Sequence, residues 1–265
     1  MPFAATGDID LYYEVHGPPP GAAPAIVFAH GMGGNHLSWW QQVPNFRDRF
    51  TCITFDHRGF GQSIEKPGGS SGAAFVDDLR ALLDHLGLAR VHLVAQSMGG
   101  WTCLGFTIRH PERVDRLVLC DTPGGLLTPE IGAAWSSKET NAVTLPEGVH
   151  PAAGARMYRE QPALHFLYQQ ISELNPARTL AEMGEIIRAA GTVTPGTVAA
   201  LAHPVLFVIG EEDIVIPPRA LELAAGHFTN ARIESVPQAG HSVYFERPQR
   251  FNEIVDNFLS ARGQR

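Results

Sequence analysis

A buried strand that leads directly into a tight turn with a serine at its apex constrains this chain most. The segment Val91–Gly100 reads VHLVAQSMGG, so an apolar run is followed by Ser97 and then by the start of a helix. Small residues two positions before and two positions after the serine, here Ala95 and Gly99, let the backbone turn sharply and lift the hydroxyl group clear of a sheet. Alanine at the first of these positions departs from the usual glycine. The pattern predicts a strand–turn–helix unit with Ser97 as a candidate nucleophile.

Short apolar runs alternate with helical stretches along the chain, which is typical of a mostly parallel sheet wrapped by helices. Residues 9–16 indicate an antiparallel entry strand. The runs expected to form buried strands are Ala25–Ala29, Thr51–Phe55, Val91–Ala95, Val114–Cys120, Val205–Ile209 and Arg232–Val236. The helices expected from apolar spacing and from the serine turn are Ala73–Leu86, Ser97–His110 and Phe251–Leu259.

The alternation breaks between Thr122 and Leu201, where prolines divide helical patterns and no strand-like run appears. A crossover between parallel strands needs only a dozen or more residues, whereas roughly 80 lie here. The simplest place for such an insertion is over the carboxyl edge of the sheet, as a cap (lid). We therefore expect residues 1–121 and 202–265 to form the core and residues 122–201 to form a helical cap.

Composition excludes several classes of partner. The 265 residues are 44% hydrophobic and 18% charged, and the formal net charge of −7 leaves no basic stripe for nucleic acid or anionic lipid. No segment approaches the roughly 18 to 20 apolar residues of a membrane span, and the first residues lack the cationic start and apolar run of a secretory signal. These features predict a cytoplasmic protein with no nucleic-acid or membrane partner, and they leave a protein partner unknown.

The sequence contains no recognisable metal-binding or cofactor-binding motif. The twelve histidines show no H-x-x-x-H or H-x-H spacing, and neither G-x-G-x-x-G nor G-x-x-x-x-G-K-[ST] is present. The three cysteines, Cys52, Cys103 and Cys120, lie among apolar neighbours, and their odd number argues against a disulfide framework. We expect no metal, no organic cofactor and three buried thiols.

A serine that performs acyl transfer needs a base, an acid that holds the base, and N–H donors for the oxyanion. In open α/β sheets the chemistry gathers beyond the carboxyl ends of the strands, so the candidates lie in the loops that follow strands. His241, after the last strand, is the candidate base, and Asp213, after the strand before it, is the candidate acid. Glu211 and Glu212 adjoin Asp213 and compete with it for this role, and Asp121, at the end of an earlier strand, is a further alternative acid.

A glycine-rich turn, His30-Gly31-Met32-Gly33-Gly34, follows the Ala25–Ala29 strand and can point backbone N–H groups inward without side chains in the way. Met98 follows the candidate nucleophile at the start of a helix. The N–H groups of Met32 and Met98 are therefore the candidate donors of an oxyanion hole.

These motifs together resemble the α/β-hydrolase superfamily over essentially the whole chain. They are the His30–Gly34 turn, the Phe55–Ser63 loop, the Ser97 turn, the Gly210-x-x-Asp213 turn and the Gly240-His241 loop. The chain order Ser97, Asp213, His241 is the order that this fold imposes. The resemblance implies a mostly parallel sheet flanked by helices with a helical cap inserted after the sixth strand, and a Ser-His-Asp triad with two oxyanion donors.

Within the superfamily the chain is similar to small capped bacterial esterases, 3-oxoadipate-type enol-lactonases and carbon–carbon bond hydrolases of aromatic degradation. Serine at position 97 argues against the chemistry of the haloalkane dehalogenases and epoxide hydrolases of this superfamily, because these enzymes use an aspartate there. Carbon–carbon hydrolases often carry a tryptophan after the histidine, where this chain has Ser242, but cap arginines keep that alternative open. A small-molecule receptor or regulator that retains the triad is a further alternative.

The resemblance therefore predicts a serine hydrolase that cleaves a small-molecule ester or lactone through an acyl-enzyme. Aromatic residues near the oxyanion turn and in the cap are expected to line the pocket. The candidates for substrate binding are Trp39, Trp135 and Phe166.

Overall fold

A computed structural model describes residues 3–6, 8–65, 71–137 and 144–261 of the chain. Residues 1, 2 and 7 of the N-terminal stretch, residues 66–70 and 262–265 of the expected core, and residues 138–143 of the expected cap lie outside this description.

The centre of the fold is an eight-stranded sheet with the order β1-β2-β4-β3-β5-β6-β7-β8. The strands are β1 Phe3–Ala5, β2 Asp10–His16, β3 Ala25–Ala29, β4 Thr51–Phe55, β5 Val91–Gln96, β6 Val114–Cys120, β7 Val205–Gly210 and β8 Ala231–Val236. β1 and β2 pair with each other, and β2 with β4, in the antiparallel sense, and β3 to β8 pair in parallel. The mostly parallel sheet expected from the sequence is confirmed, and β1 is an addition to it.

Helices accompany the sheet along the chain. They are α1 Val43–Phe46, α2 Phe75–His85, α3 Gly99–Arg109, α4 Pro129–Trp135, α5 Gly154–Glu160, α6 Pro162–Glu173, α7 Leu180–Ala190, α8 Pro195–Ala199, α9 Pro218–Ala225, α10 Val243–Glu246 and α11 Pro248–Ser260. Within the ranges that the structure describes, none of these helices has the length and apolar character needed to cross a bilayer.

The central strands are buried on both faces because alternate side chains point to opposite sides of the sheet. In β3, Val27 and Ala29 belong to the apolar core that contains residues of α2, α3 and α9. Ile26 and Phe28 of the same strand belong to a second core, which contains residues of α1, α10 and α11. This division explains why β3 reads as a continuous apolar run rather than an alternating one.

Between β6 and β7 the chain forms α4 to α8 rather than a single crossover helix. Local signals explain the ends of these helices: the Thr128 side chain accepts a hydrogen bond from the Ile131 N–H at the start of α4. Thr179 and Glu182 form a capping box at the start of α7. The sixth strand is thus followed by a helical segment, as the resemblance implies.

Two side chains attach this helical segment to loops at the carboxyl edge of the sheet. The Trp135 indole Nε1–H donates to the backbone oxygen of Val215, 2.8 Å away, in the loop after β7. Asn175 Nδ2 donates over 2.8 Å to the backbone oxygen of Gly33, in the loop after β3. Because the carboxyl ends of parallel strands share one edge, these bonds place parts of the segment above that edge.

Candidate active site

Ser97 occupies the sharp turn between β5 and α3, as the sequence pattern predicts. Its φ is +47°, in the left-handed region that non-glycine residues seldom adopt. The Ser97 N–H donates to the Cys120 carbonyl oxygen over 3.1 Å, and the Ser97 carbonyl oxygen accepts from the Gly100 N–H over 2.8 Å. A Cβ atom at Gly99 would lie 2.3 Å from the Ala29 carbonyl oxygen, so the turn requires glycine at that position. The surrounding backbone therefore holds the serine in a strained conformation.

Loops that follow three different strands bring Ser97, His241 and Asp213 into one hydrogen-bonded chain. His241 Nδ1 lies 2.8 Å from Asp213 Oδ2, and His241 Nε2 lies 2.9 Å from Ser97 Oγ. An ionised carboxylate only accepts hydrogen bonds, so the imidazole proton lies on Nδ1 and leaves Nε2 to accept from the serine hydroxyl. The other oxygen of Asp213 accepts from the N–H groups of Val215 and Ile216, over 2.8 and 2.9 Å, which fixes the carboxylate.

The environment of His241 favours a positive charge on the imidazole. Burial on its own lowers the pKa of His241, but attraction to the Asp213 carboxylate and the hydrogen bond to it raise that pKa. Asp121 and Glu246 act in the same sense, and the net result is a pKa above the ordinary value of 6.5. These carboxyl groups therefore stabilise the protonated form of the His241 imidazole.

The alternative acid, Asp121, follows β6 and binds the backbone at the end of β7 and at the start of α10 instead of the imidazole. Its carboxylate accepts from the N–H of Gly210 over 2.8 Å, from the N–H of Val243 over 3.3 Å and from the Cys120 thiol over 3.2 Å. Burial, followed by repulsion from Asp213, raises the pKa of Asp121 to about 7. Among the candidate acids, Asp213 is the one with a hydrogen bond to His241.

Two residues that the sequence interpretation missed hold the His241 loop. Gln96 Nε2 donates to the His241 carbonyl oxygen over 2.8 Å. Glu246 is buried, and its carboxyl oxygens accept from the N–H groups of the residues on both sides of His241. The only signal for Glu246 in the sequence was a charged residue directly after the apolar run Val243–Phe245.

The two expected oxyanion donors, Met32 and Met98, line the same cavity as Ser97. Within the described ranges the structure gives neither backbone N–H a hydrogen-bond partner. The turn that carries Met32 is shaped by the buried ring of His30, whose Nδ1 lies 2.8 Å from the Gly31 carbonyl oxygen and whose Nε2 accepts from the His57 N–H over 3.0 Å. Burial lowers the pKa of His30 to about 4, so the ring stays neutral at pH 7.

A cavity of about 390 Å³ adjoins Ser97 and reaches into the helical segment between β6 and β7. Apolar side chains form most of its wall. Those from the helical segment are Trp135, Pro151, Ala152, Leu180, Met183 and Ile187. The cavity can therefore hold a small molecule beside the hydroxyl of Ser97.

Of the three residues expected to bind substrate, Trp135 lines this cavity and the other two do not. Trp39 is fully buried and packs in the core beneath, with its ring centroid 5.1 Å from that of Phe28 and 4.5 Å from that of Tyr244. Phe166 is 61% exposed on α6, whereas Tyr168 and Ser172 of the same helix line the cavity. The structure thus corrects the expectation that Trp39 and Phe166 contact the substrate.

Among the residues that the structure describes, no three or more His, Cys, Asp or Glu side chains are grouped to hold a metal ion. The three cysteines are buried free thiols. Burial raises the pKa of Cys52 to about 12, so this thiol is not ionised at neutral pH.

A family model described as the alpha/beta hydrolase fold matches residues 24–171 and 134–248. The chain therefore belongs to the α/β-hydrolase fold family, and the fold class expected from the sequence is confirmed. Among curated relatives, RutD of a Caulobacter species, which is named as a proposed carbamate hydrolase, is 29% identical over 276 residues that cover 97% of this chain and 99% of the relative.

Two solved structures are also similar. One is described as an N-acyl homoserine lactone degrading enzyme; it is 27% identical with a TM-score of 0.77, over 97% of this chain and 100% of that one. The other is the enol-lactonase from Burkholderia xenovorans, 25% identical with a TM-score of 0.77, over 98% of this chain and 100% of that one. These similarities support hydrolase activity on a small molecule.

Proposed function

We propose that this chain is a serine hydrolase that cleaves a carboxylic ester or a lactone through an acyl-enzyme. The observation that carries the proposal is the position of His241, whose two ring nitrogens lie 2.8 Å from Asp213 Oδ2 and 2.9 Å from Ser97 Oγ. These are hydrogen-bond distances on both sides of one imidazole, as proton transfer from a nucleophile to an oriented base requires. The lactonase structures to which the chain is similar support the same class of substrate.

In the first half of the reaction, Ser97 Oγ attacks the carbonyl carbon of the substrate while His241 Nε2 takes the hydroxyl proton. Asp213 keeps the imidazole oriented and stabilises its positive charge. The backbone N–H groups of Met32 and Met98 donate to the oxyanion of the tetrahedral intermediate. The intermediate collapses, the imidazolium gives its proton to the departing alcohol, and Ser97 retains the acyl group. With a lactone the alcohol remains part of the same molecule.

In the second half, water replaces the alcohol. His241 takes one proton from the water as its oxygen attacks the acyl carbonyl, and the same two N–H groups stabilise the second oxyanion. Collapse of this intermediate breaks the bond to Ser97 Oγ, which recovers its proton from the imidazolium. The products are a carboxylic acid and a free serine.

A carbamate is a second candidate substrate, because the proposed activity of RutD concerns carbamates and a carbamate carbonyl admits the same attack by serine. The carbon–carbon hydrolase alternative has less support. Its expected cap arginine is absent from the described wall of the cavity: Arg156, Arg159, Arg178 and Arg188 all lie elsewhere.

Replacement of the nucleophile tests the proposal. Ser97→Ala should lower ester hydrolysis by about 10⁴-fold or more, because the acyl-enzyme cannot form. Ser71→Ala is a matched control, since Ser71 also has a left-handed φ of 46° but lies outside the cavity. Purified variants should be assayed on p-nitrophenyl esters, lactones and phenyl carbamates, with fluorophosphonate labelling beside the assay.

Near-normal turnover by Ser97→Ala, or labelling of another residue, would contradict the assignment of the nucleophile. The same panel separates the alternatives. Rapid multiple turnover of esters or lactones supports the proposed class, and turnover of carbamates alone supports the second candidate. Hydrolysis that stops after one turnover favours a receptor that has kept the triad.

A further inference from the structure

His150 is the one ionisable side chain, apart from that of His241 and the Tyr168 phenol, among the described residues lining the cavity beside Ser97. It lies in the irregular stretch that precedes α5, and its backbone is at the start of the turn that leads into that helix. The same described wall contains no arginine, lysine, aspartate or glutamate. Outside Ser97 and His241, the other hydroxyl and amide side chains of this wall are those of Gln96, Tyr168 and Ser172, so a polar group of a bound molecule meets only uncharged partners beside His150.

The hydrogen bond that the His150 ring accepts determines which of its nitrogens carries the proton. The Ala152 N–H donates to His150 Nδ1 over 3.2 Å, so Nδ1 holds a lone pair and the proton of the neutral ring lies on Nε2. Within the described ranges the structure gives Nε2 no partner and does not bury it completely. Burial, followed by repulsion from His165 and His241, lowers the pKa of His150. The ring is therefore a neutral donor with one free N–H.

The ring of His150 is also held in place. It packs against Tyr168 with centroids 5.4 Å apart, and Tyr168 packs in turn edge-on against Phe245 with centroids 5.0 Å apart. The Ser242 hydroxyl donates to the Tyr168 hydroxyl oxygen over 3.3 Å, which connects this stack to the residue after His241. A donor fixed in this way needs little reorganisation when it binds an acceptor.

We propose that His150 is a specificity-determining residue whose Nε2–H binds an uncharged oxygen acceptor, such as a ketone or amide carbonyl, in the part of the substrate that is not cleaved. This inference rests on the proposed ester or lactone hydrolase function and narrows it to neutral substrates with a second acceptor. A carboxylate in the same place meets only neutral donors and no cation in the described wall. Its burial would therefore cost far more than that of a ketone.

Matched esters and matched variants test the proposal. p-Nitrophenyl levulinate differs from p-nitrophenyl valerate by one ketone oxygen, and longer homologues move that oxygen along the acyl chain. We expect wild-type kcat/KM to favour the ketone ester by about 10-fold for at least one position, the effect of one well-placed hydrogen bond. The ratio within each pair is independent of the amount of folded enzyme.

Two substitutions separate the donor from the structural role of the ring. Asparagine can accept from the Ala152 N–H in place of Nδ1 but has no donor at the position of Nε2, so His150→Asn should bring the ratio close to one by raising KM for the ketone ester. Glutamine places an amide N–H near the position of Nε2, so His150→Gln should keep part of the preference. A purely structural role of His150 would lower kcat for both esters alike and leave the ratio unchanged.

The outcomes distinguish this inference from the proposed function. The role of His150 is overturned if the wild-type protein hydrolyses p-nitrophenyl valerate but favours no ketone ester. It is also overturned if His150→Asn keeps the preference for the ketone ester. In both cases the hydrolase assignment stands. p-Nitrophenyl hydrogen succinate carries a carboxylate in place of the methyl ketone of levulinate. A higher kcat/KM for this ester than for p-nitrophenyl valerate would overturn the restriction to neutral substrates. If wild type hydrolyses no ester or lactone, the proposed function fails and this inference fails with it.

Discussion

Both carboxyl oxygens of Glu246 lie 3.0 Å from the backbone nitrogen of Gly240. One of them also accepts from the Ser242 N–H over 3.2 Å, so this buried carboxyl group holds the backbone on either side of His241. Burial raises the pKa of Glu246 to about 8, although the bonds from Gly240 and Ser242 act in the opposite sense. The group that positions the candidate base therefore changes charge near neutral pH.

We expect Glu246 to make the folded protein less stable as the pH rises. Its pKa is about 8 in the folded chain against an ordinary value of 4.5, so the folded state binds the proton more tightly between these two values. Raising the pH through this window therefore lowers the free energy of unfolding. Glu246→Gln resembles the protonated acid and does not titrate, so its melting temperature should fall less between pH 5 and pH 8 than that of wild type.

The control for this measurement is Glu253→Gln, because Glu253 is an exposed glutamate on α11. Its melting temperature should follow the wild-type curve. The fall of melting temperature with rising pH should be smaller for Glu246→Gln than for wild type but should not vanish. Asp121 and His241 also have raised pKa values and act in the same direction. Parallel curves for Glu246→Gln and wild type would show that Glu246 is not the titrating group.

Substitutions of Asp213 and of Asp121 should differ sharply in their effect on catalysis. Asp213→Asn should lower kcat by up to about 10⁴-fold, because the imidazole loses the partner that fixes its tautomer and supports its charge. The midpoint of the pH–rate profile should also move to lower pH, since the Asp213 carboxylate raises the pKa of His241. Asp121→Asn keeps an oxygen acceptor for the Gly210 N–H and should have a much smaller effect. Steady-state kinetics that rank the two variants in reverse order would assign the acid to Asp121.

Two tryptophans that the sequence did not distinguish should respond differently to substitution. Trp135 lines the cavity, so Trp135→Phe should change the ranking of short against long acyl esters while p-nitrophenyl acetate is still hydrolysed. Trp39 lies in the core, so Trp39→Ala should cost about 3 to 5 kcal/mol of stability and lower activity on every ester alike. Phe166→Ala, at an exposed position, should change neither property much. An unchanged ester ranking in Trp135→Phe would remove Trp135 from the pocket.

The strands that are buried on both faces were the part of the fold that the sequence predicted best. The predicted bounds Ala25–Ala29, Thr51–Phe55 and Val114–Cys120 agree with β3, β4 and β6. β3 and β4 are buried along their whole length, whereas in β6 the continuous apolar run is limited to Leu117–Cys120. β1 escaped prediction because Phe3–Ala5 is too short to show a pattern. Its position depends on antiparallel pairing with β2, which is a tertiary effect.

The candidate site divides in the same way. The turn around Ser97 is a local structure, so the residues of the turn predict it. The bond from His241 to Asp213 instead depends on how two loops that are far apart in the sequence meet. Pocket residues are harder still: Phe166 and Tyr168 are two positions apart on α6, and a helix turns about 200° over two residues, so one is exposed while the other lines the cavity. His150 lies outside any helix or strand, where no periodicity indicates the direction of a side chain.

The insertion between β6 and β7 has a consequence for how this chain can change over evolutionary time. The entropy cost of closing a loop grows only with the logarithm of its length, about 0.6 kcal/mol for each doubling. The pairing of β6 with β7, from Leu117 with Val205 to Cys120 with Val208, can therefore tolerate large differences in the intervening segment. Trp135 and Asn175 attach that segment through bonds to backbone oxygens, which any residue supplies. Selection can thus replace the walls of the cavity piece by piece while the sheet and its serine turn are inherited intact.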